Sequence, residues 1–203
     1  MRIGLLFGSF NPVHNGHMML ANYFACFTDL DEVWMVLSPQ NPFKSQSQLL
    51  AFHHRYQLLL KACEDVQFIK PCDVESKLDL PSYTSHTLVY LCEKYPAHQF
   101  SLILGSDNLL SFHKWKNHEY ILQHFRLLIY PRPGYSESSA AFPEHPNMLI
   151  CRDAPLIEIS ASFIRKAIAE GRNIRYFMPH KAFEYLDEMN FYKSTGGRKN
   201  PQL

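Results

Sequence analysis

The chain has 203 residues, 46% of them hydrophobic, which suits one α/β domain with a sizeable buried core and leaves too little for two. Lys and Arg number 20 against 19 Asp and Glu, a formal net charge of +1, so no overall field draws the protein to nucleic acid or to a membrane. Its five cysteines (Cys26, Cys63, Cys72, Cys92, Cys151) are odd in number, scattered and never in a C-x-x-C pair. That spacing argues against a disulfide framework or a zinc site, and for reduced thiols in a cytoplasmic protein.

The first apolar run, Arg2 to Phe7, is too short for a signal peptide or membrane helix and reads as a strand. It stops at the turn from Gly8 to Pro12, and Gly16 to Phe27 carries apolar residues at helical spacing. Glu32 to Leu37 is the next expected strand, closed by Ser38 and Pro39, with a polar loop through Asn41, Phe43 and Lys44. A helix is expected over Phe52 to Cys63, a strand over Val66 to Lys70, a helix over Ser85 to Tyr95 and a strand over Gln99 to Leu104. That last strand ends at Gly105-Ser106-Asp107.

Helical spacing returns at His118 to His124, and Arg126 to Tyr130 is a further strand closed by Pro131-Arg132-Pro133-Gly134. Residues Tyr135 to Pro146 read as an excursion from the core, and Met148 to Cys151 and Leu156 to Ile159 as short edge-like runs. Ser160 has the character of an N-cap for a helix over Ala161 to Ala169, and a last helix follows Pro179 over Lys181 to Met189. Residues 1–192 are expected to form one domain, with 193–203 a frayed tail. Alternating strands and helices of this kind predict a Rossmann-like, doubly wound parallel sheet with helices on both faces and ligands beyond the carboxyl ends of its strands.

Two segments point to anion handling. Between the first strand and the first helix, a small-residue turn offers backbone N–H groups and the positive end of a helix dipole. His14 and His17, three residues apart at the helix start, can face the same side, and Gly16 leaves room at the backbone. Late in the chain, Ser160 as a cap leaves N–H donors free on the following residues, with Arg165 a turn and a half further on. There is no G-x-S-x-G elbow and no evident Cys–His pair, so the motifs supply no protein nucleophile.

Gly8-x-Phe10-x-Pro12-x-His14-x-Gly16-His17 resembles the GxFxPxHxGH signature of the HxGH nucleotidyltransferase superfamily. The resemblance implies that His14, His17 and Arg165 are catalytic, stabilising charge as the α-phosphorus of ATP is attacked. It also implies that Gly8, Ser9, Phe10, Gly16, Gly105, Asp107, Ser160 and Ser162 contact ATP. Ile159 to Arg165 is similar to the superfamily's ISxTxxR segment, which holds the β- and γ-phosphates, with Ser162 in place of Thr.

Further segments resemble the nicotinate mononucleotide adenylyltransferase branch. Asn41-Pro42-Phe43-Lys44 looks like NPxK, Ser82 to Leu88 like SYTxDTL with His86 in place of Asp, Gly105 to Trp115 like GxD…W, and Arg132 to Gly134 like the RPG turn. By that likeness Asn41, Lys44, Tyr83, Thr84, Trp115 and Arg132 bind the mononucleotide, with Trp115 stacking on the pyridine ring. Trp115 is equally readable as a core residue. The implied reaction joins the adenylyl group of ATP to nicotinate mononucleotide, with magnesium accompanying ATP and no protein metal ligand. A homo-oligomer is compatible with it. Nicotinamide mononucleotide, another phosphorylated acceptor, and a non-catalytic nucleotide-binding module on the same fold stand as alternatives.

Overall fold

The computed structural model describes residues 1–39, 49–134 and 145–194. Six strands form one parallel sheet: β1 (Arg2–Gly8), β2 (Glu32–Leu37), β3 (Ile69–Cys72), β4 (Gln99–Gly105), β5 (Arg126–Tyr130) and β6 (Met148–Ile150), in the order β3-β2-β1-β4-β5-β6. Seven α-helices accompany them: α1 (Asn15–Phe27), α2 (Phe52–Cys63), α3 (Thr84–Lys94), α4 (Ser106–Phe112), α5 (His118–His124), α6 (Ala161–Ala169) and α7 (His180–Glu188).

Because successive strand residues point to opposite faces, each strand feeds two cores. On one face Leu6, Met35, Ile103 and Leu128 pack with α1, α2, α6 and α7 through Phe24, Leu58, Leu59, Ile164 and Leu186. On the other, Ile3, Leu5, Val36, Leu102 and Leu127 pack with α3, α4 and α5 through Leu88, Leu91, Phe112 and Ile121. Helices therefore cover both faces, which is why the inner strands read as nearly unbroken apolar runs. The order reverses between β1 and β4, and it is at such a reversal that the strand ends open a crevice. Gly8 lies in register with Leu37, and Gly105 with Tyr130, so these chain ends meet at one rim of the sheet.

Most element positions agree with the sequence expectations, and three differ. The third strand is Ile69–Cys72, displaced from Val66 to Lys70. Val66 instead closes α2 by donating to the Cys63 carbonyl, and Pro71 is accommodated because β3 is an edge strand paired only to β2. Leu156 to Ile159 is not a strand: Ile157 and Ile159 pack on the α1 face of the core, so the run covers a helix rather than extending the sheet. Helix α4, for which no expectation was formed, starts directly at Gly105, where Gly105-Ser106-Asp107 had the composition of a turn. Among the described residues no helix is long and apolar enough to cross a membrane.

Candidate active site

The turn from β1 into α1 has little freedom. Phe10 is buried with φ of 40°, in the left-handed region that non-glycine residues rarely adopt, and its ring folds back over Gly8: a Cβ there would meet it at 2.8 Å. His14 is the N-cap of α1. Its backbone N–H donates to Nδ1 of His17 at 3.2 Å, so His17 carries its ring proton on Nε2. The two imidazoles stack with centroids 3.7 Å apart, and Phe10 meets His17 edge-on at 4.9 Å. Burial, and secondarily the Arg132 guanidinium, lowers the His14 pKa to about 4, so at neutral pH His14 acts as a neutral dipole rather than a cation. Its buried Nδ1 has no hydrogen-bond partner among the described residues. Gly16 is required by packing: a Cβ would lie 2.9 Å from Ile157 and 3.0 Å from His14 Nδ1. The space opposite that glycine is thus taken by protein, where a ligand approach was expected.

A buried arginine organises the same turn. Arg55 is 1% exposed and donates to four carbonyls: Ser9 and Ser38 at 2.8 Å, Pro39 at 2.7 Å and Leu50 at 2.9 Å. One guanidinium thereby ties the β1–α1 turn to the exit of β2 and the entry to α2. Burial lowers its pKa to about 10, which leaves it charged at neutral pH. Asn11 is a second knot. Its Oδ1 accepts from the Tyr192 hydroxyl at 2.5 Å and from the Leu50 N–H at 3.2 Å. Burial pushes the Tyr192 phenol well above its usual value, so it remains a donor.

The Asn11 carbonyl accepts from Arg165 Nη1 at 2.8 Å, while Nη2 of the same guanidinium approaches Ser162 Oγ at 3.3 Å. The two motifs, 154 residues apart in the chain, meet here. Ser160 is the N-cap of α6 and accepts the Phe163 N–H at 3.2 Å, as expected of it. Arg165 therefore leaves the first turns of α6 and ends at the start of α1, so two helix N-termini and a fixed cation share one region.

Arg132 and Asp107 complete this side. Arg132 follows β5, its N–H donates to Ser106 Oγ at 2.9 Å, and its Nε lies 3.5 Å from Asp107 Oδ1. The Asp107 carboxylate, in the first turn of α4, bends back toward Gly105, where a Cβ would sit only 2.3 Å from Oδ1. Glycine is needed at that strand end so that Asp107 can take this rotamer. Arg132, expected among the mononucleotide residues, thus stands beside Asp107 and within electrostatic range of His14.

The Tyr83 side is more open. Tyr83 is the N-cap of α3, Thr84 its first residue, and the Tyr83 carbonyl accepts the N–H groups of His86 and Thr87, which leaves Thr84 and Ser85 as the helix-start donors. Lys116 Nζ lies 4.3 Å from the centre of the Tyr83 ring, so the α4–α5 turn carrying Trp115 adjoins the start of α3. Trp115 is half-buried and leans on Phe112 at 5.5 Å, which gives it a place in the core and a partly open ring. Asn41 and Lys44 lie outside the described residues.

Sequence reasoning missed Arg55, Asn11, Tyr192 and Lys116. Arg55 left a signal: with Leu58, Leu59 and Ala62 it completes an i, i+3, i+4, i+7 stripe, and a cation on an apolar face needs an internal partner. The others lie in turns, where no periodicity marks burial. Chemically, the ATP side combines the neutral His14 ring, the His17 imidazole, helix amides and two guanidiniums, a site that suits a polyanion.

Comparison with known proteins agrees with this geometry. The cytidylyltransferase-like family model matches residues 5–167. The Flavobacterium johnsoniae protein named "Probable nicotinate-nucleotide adenylyltransferase" is 49% identical over 95% of this chain and 100% of its own length. A protein of the same name from Christiangramia forsetii is 45% identical over 95% of this chain and 98% of its own length. Among solved structures, Plasmodium falciparum nicotinic acid mononucleotide adenylyltransferase complexed with NaAD superposes with a TM-score of 0.77 at 22% identity, covering 94% of this chain and 97% of that one, which shows the shared fold. From its motifs, its sheet order and these relatives, the chain belongs to the cytidylyltransferase-like family, in the nicotinate-nucleotide adenylyltransferase branch.

Proposed function

We propose that the chain transfers the adenylyl group of ATP to nicotinate mononucleotide, giving nicotinate adenine dinucleotide and pyrophosphate. The observation that carries this is the Arg165 guanidinium seated on the Asn11 carbonyl, which brings the α6 segment beside the His14–His17 turn and so supports a single polyanion site there. The relatives' names supply the acceptor. A phosphate oxygen of the mononucleotide attacks the α-phosphorus of ATP. The bond between the α-phosphorus and the α–β bridging oxygen breaks, and pyrophosphate leaves with that electron pair. The attacking phosphate is already anionic at neutral pH, so no general base is required. Catalysis then consists of in-line positioning and of stabilising charge on the transferring and leaving groups.

In this scheme Nε2–H of His17 and the α1 amides at Asn15 and Gly16 donate to phosphate oxygens, and Arg165 with the α6 amides behind Ser160 and Ser162 holds the departing pyrophosphate. Gly8, Ser9 and Phe10 form the wall of the turn, and Gly105 with Asp107 faces the nucleotide's ribose. Tyr83, Thr84, Trp115 and the loop residues Asn41 and Lys44 receive the mononucleotide, and the nicotinate carboxylate suits the free Thr84 and Ser85 amides.

The described residues hold no group of three or more His, Cys, Asp or Glu able to take a metal. Magnesium would accompany ATP's own phosphates, where it would neutralise phosphate charge, with Asp107 the carboxylate of the motif set. The test is pyrophosphate release from ATP with a panel of mononucleotides. Nicotinate mononucleotide is expected to show the highest kcat/KM, and His17→Ala to lower turnover at least about a hundredfold in a folded protein. A strong preference for nicotinamide mononucleotide would overturn the acceptor, and near-normal turnover of the folded variant would sink the role of His17.

A further inference from the structure

Glu75, in the short 3₁₀ turn Val74–Lys77 between β3 and α3, is a carboxyl group only 2% exposed. A buried carboxyl persists only where hydrogen bonds replace its water. Here the Thr87 hydroxyl does so, donating to Oε1 at 3.0 Å, and the Ser38 and Ser82 side chains lie close enough to favour the charged form. Burial raises the pKa of the group, while the three hydroxyls pull it down. The transfer chemistry makes no use of it.

What distinguishes the arrangement is where the three hydroxyls come from. Ser38 follows β2 directly, at the rim where Leu37 is in register with Gly8 of the phosphate turn, and its N–H donates to the Gly8 carbonyl at 3.0 Å. Ser82 lies just before α3, and Thr87 in its first turn. Tyr83 and Thr84 fall between those two anchors. The Thr87 hydroxyl also lies 3.3 Å from the Tyr83 carbonyl, but the shorter approach is to Glu75. The exit of β2 and the start of α3 thus meet at one carboxyl on the turn between β3 and α3.

We propose that Glu75 is a positioning residue for the acceptor: by holding Thr87, with Ser38 and Ser82 beside the same carboxyl, it sets the start of α3 and its Thr84 amide relative to the phosphate turn. This rests on the assignment of Tyr83 and Thr84 to the mononucleotide made above. The physical lever is distance. An anion held by helix-start amides at one end and delivered to the α-phosphorus at the other must span two elements, so a displaced start of α3 weakens capture of the acceptor while ATP keeps its own contacts.

The experiment is steady-state kinetics of the full chain with ATP and nicotinate mononucleotide varied in turn. Glu75→Ala is expected to raise KM for the mononucleotide about tenfold, the order of a lost buried hydrogen bond, with KM for ATP changed less than about twofold. Glu75→Gln, which keeps the shape and an acceptor oxygen, is expected to recover most of that loss. Thr87→Val removes one hydroxyl at constant shape and is expected to raise the same KM about threefold. Should Glu75→Ala fail to fold, Thr87→Val and Ser82→Ala carry the same split. A parallel rise in both KM values, or no change in either, in variants of an enzyme that uses nicotinate mononucleotide overturns the role of Glu75 alone. A wild-type enzyme that does not use this acceptor overturns the acceptor assignment and the Glu75 proposal with it.

Discussion

The two ends of the crevice are built on different terms. At the phosphate turn Phe10 is 2% exposed, Asn11 and His14 5% each, and each segment is tied by a buried group to another part of the chain. At the start of α3 Tyr83 is 37% exposed, Trp115 is half-buried, and the link between them is a lysine lying over a tyrosine ring. A site that stabilises developing phosphate charge has to be in place before the reaction, because reorganising dipoles during the step would consume the gain. The contrast is one of exposure: the phosphate turn is enclosed throughout, whereas the start of α3 is anchored below by the buried Glu75 and Thr87 and leaves Tyr83 open above them.

Removing the centre of the enclosed side tests that contrast most severely. Arg55→Met keeps an unbranched, well-packed side chain and strips the partners from four carbonyls, which at ~1–3 kcal/mol for each group left unsatisfied predicts a loss of at least about 4 kcal/mol. Denaturant titration reads it directly, with Arg126→Ala as the reference. Arg126 makes a surface pair with Asp29 at 2.6 Å, and its removal is expected to cost less than about 1 kcal/mol. Equal losses in the two variants would abolish the distinction between a buried organiser and an ordinary surface ion pair.

The next largest effect is a pH dependence from His14. Its ring titrates near 6.5 when unfolded and at about 4 in the fold. Between those values the unfolded chain binds more protons than the native one, so stability is complete above about pH 6.5 and is lost as pH falls toward 4. At ~1.4 kcal/mol per unit the swing is on the order of 3 kcal/mol. Urea midpoints measured from pH 7 down to pH 5 are expected to fall for the wild type and to fall less steeply for His14→Gln. Parallel slopes would mean that the ring is not held neutral by its burial.

How far the sequence revealed this molecule depended on the scale of the signal. The α1, α2, α5 and α6 segments, β2 and β5 were legible because each repeats an apolar period over several residues. The β3 boundary was not, since Val66, which closes α2, and Phe68, whose carbonyl meets β2, both pack against the core ahead of the strand, and burial alone does not separate a turn from a strand. Of the site, the pair His14 and His17 and the cap Ser160 were legible because their spacing is local. The seat of Arg165 on Asn11 was invisible, because a hydrogen bond to a backbone carbonyl 154 residues away leaves no trace in side-chain pattern. Glu75 was invisible for the same reason: its hydroxyl partners are common residues in polar loops.

The smallest effect falls on the more open side, and it decides between the two roles open to Trp115. Its ring leans on Phe112 at the margin of the α3–α5 core, so truncation removes some packing in either case. If the exposed part of the ring also stacks on the pyridine, Trp115→Ala loses a contact worth ~1–3 kcal/mol per base, and KM for the mononucleotide is expected to rise about tenfold, with kcat and KM for ATP nearly unchanged. If the ring is only a lid on Phe112, the unfolding midpoint falls while the KM of the folded enzyme stays the same. Measured on one preparation, the two quantities separate these roles. A KM shift with little loss of stability would place recognition on the half-buried Trp115 ring, beside the more exposed Tyr83 and apart from the buried phosphate turn.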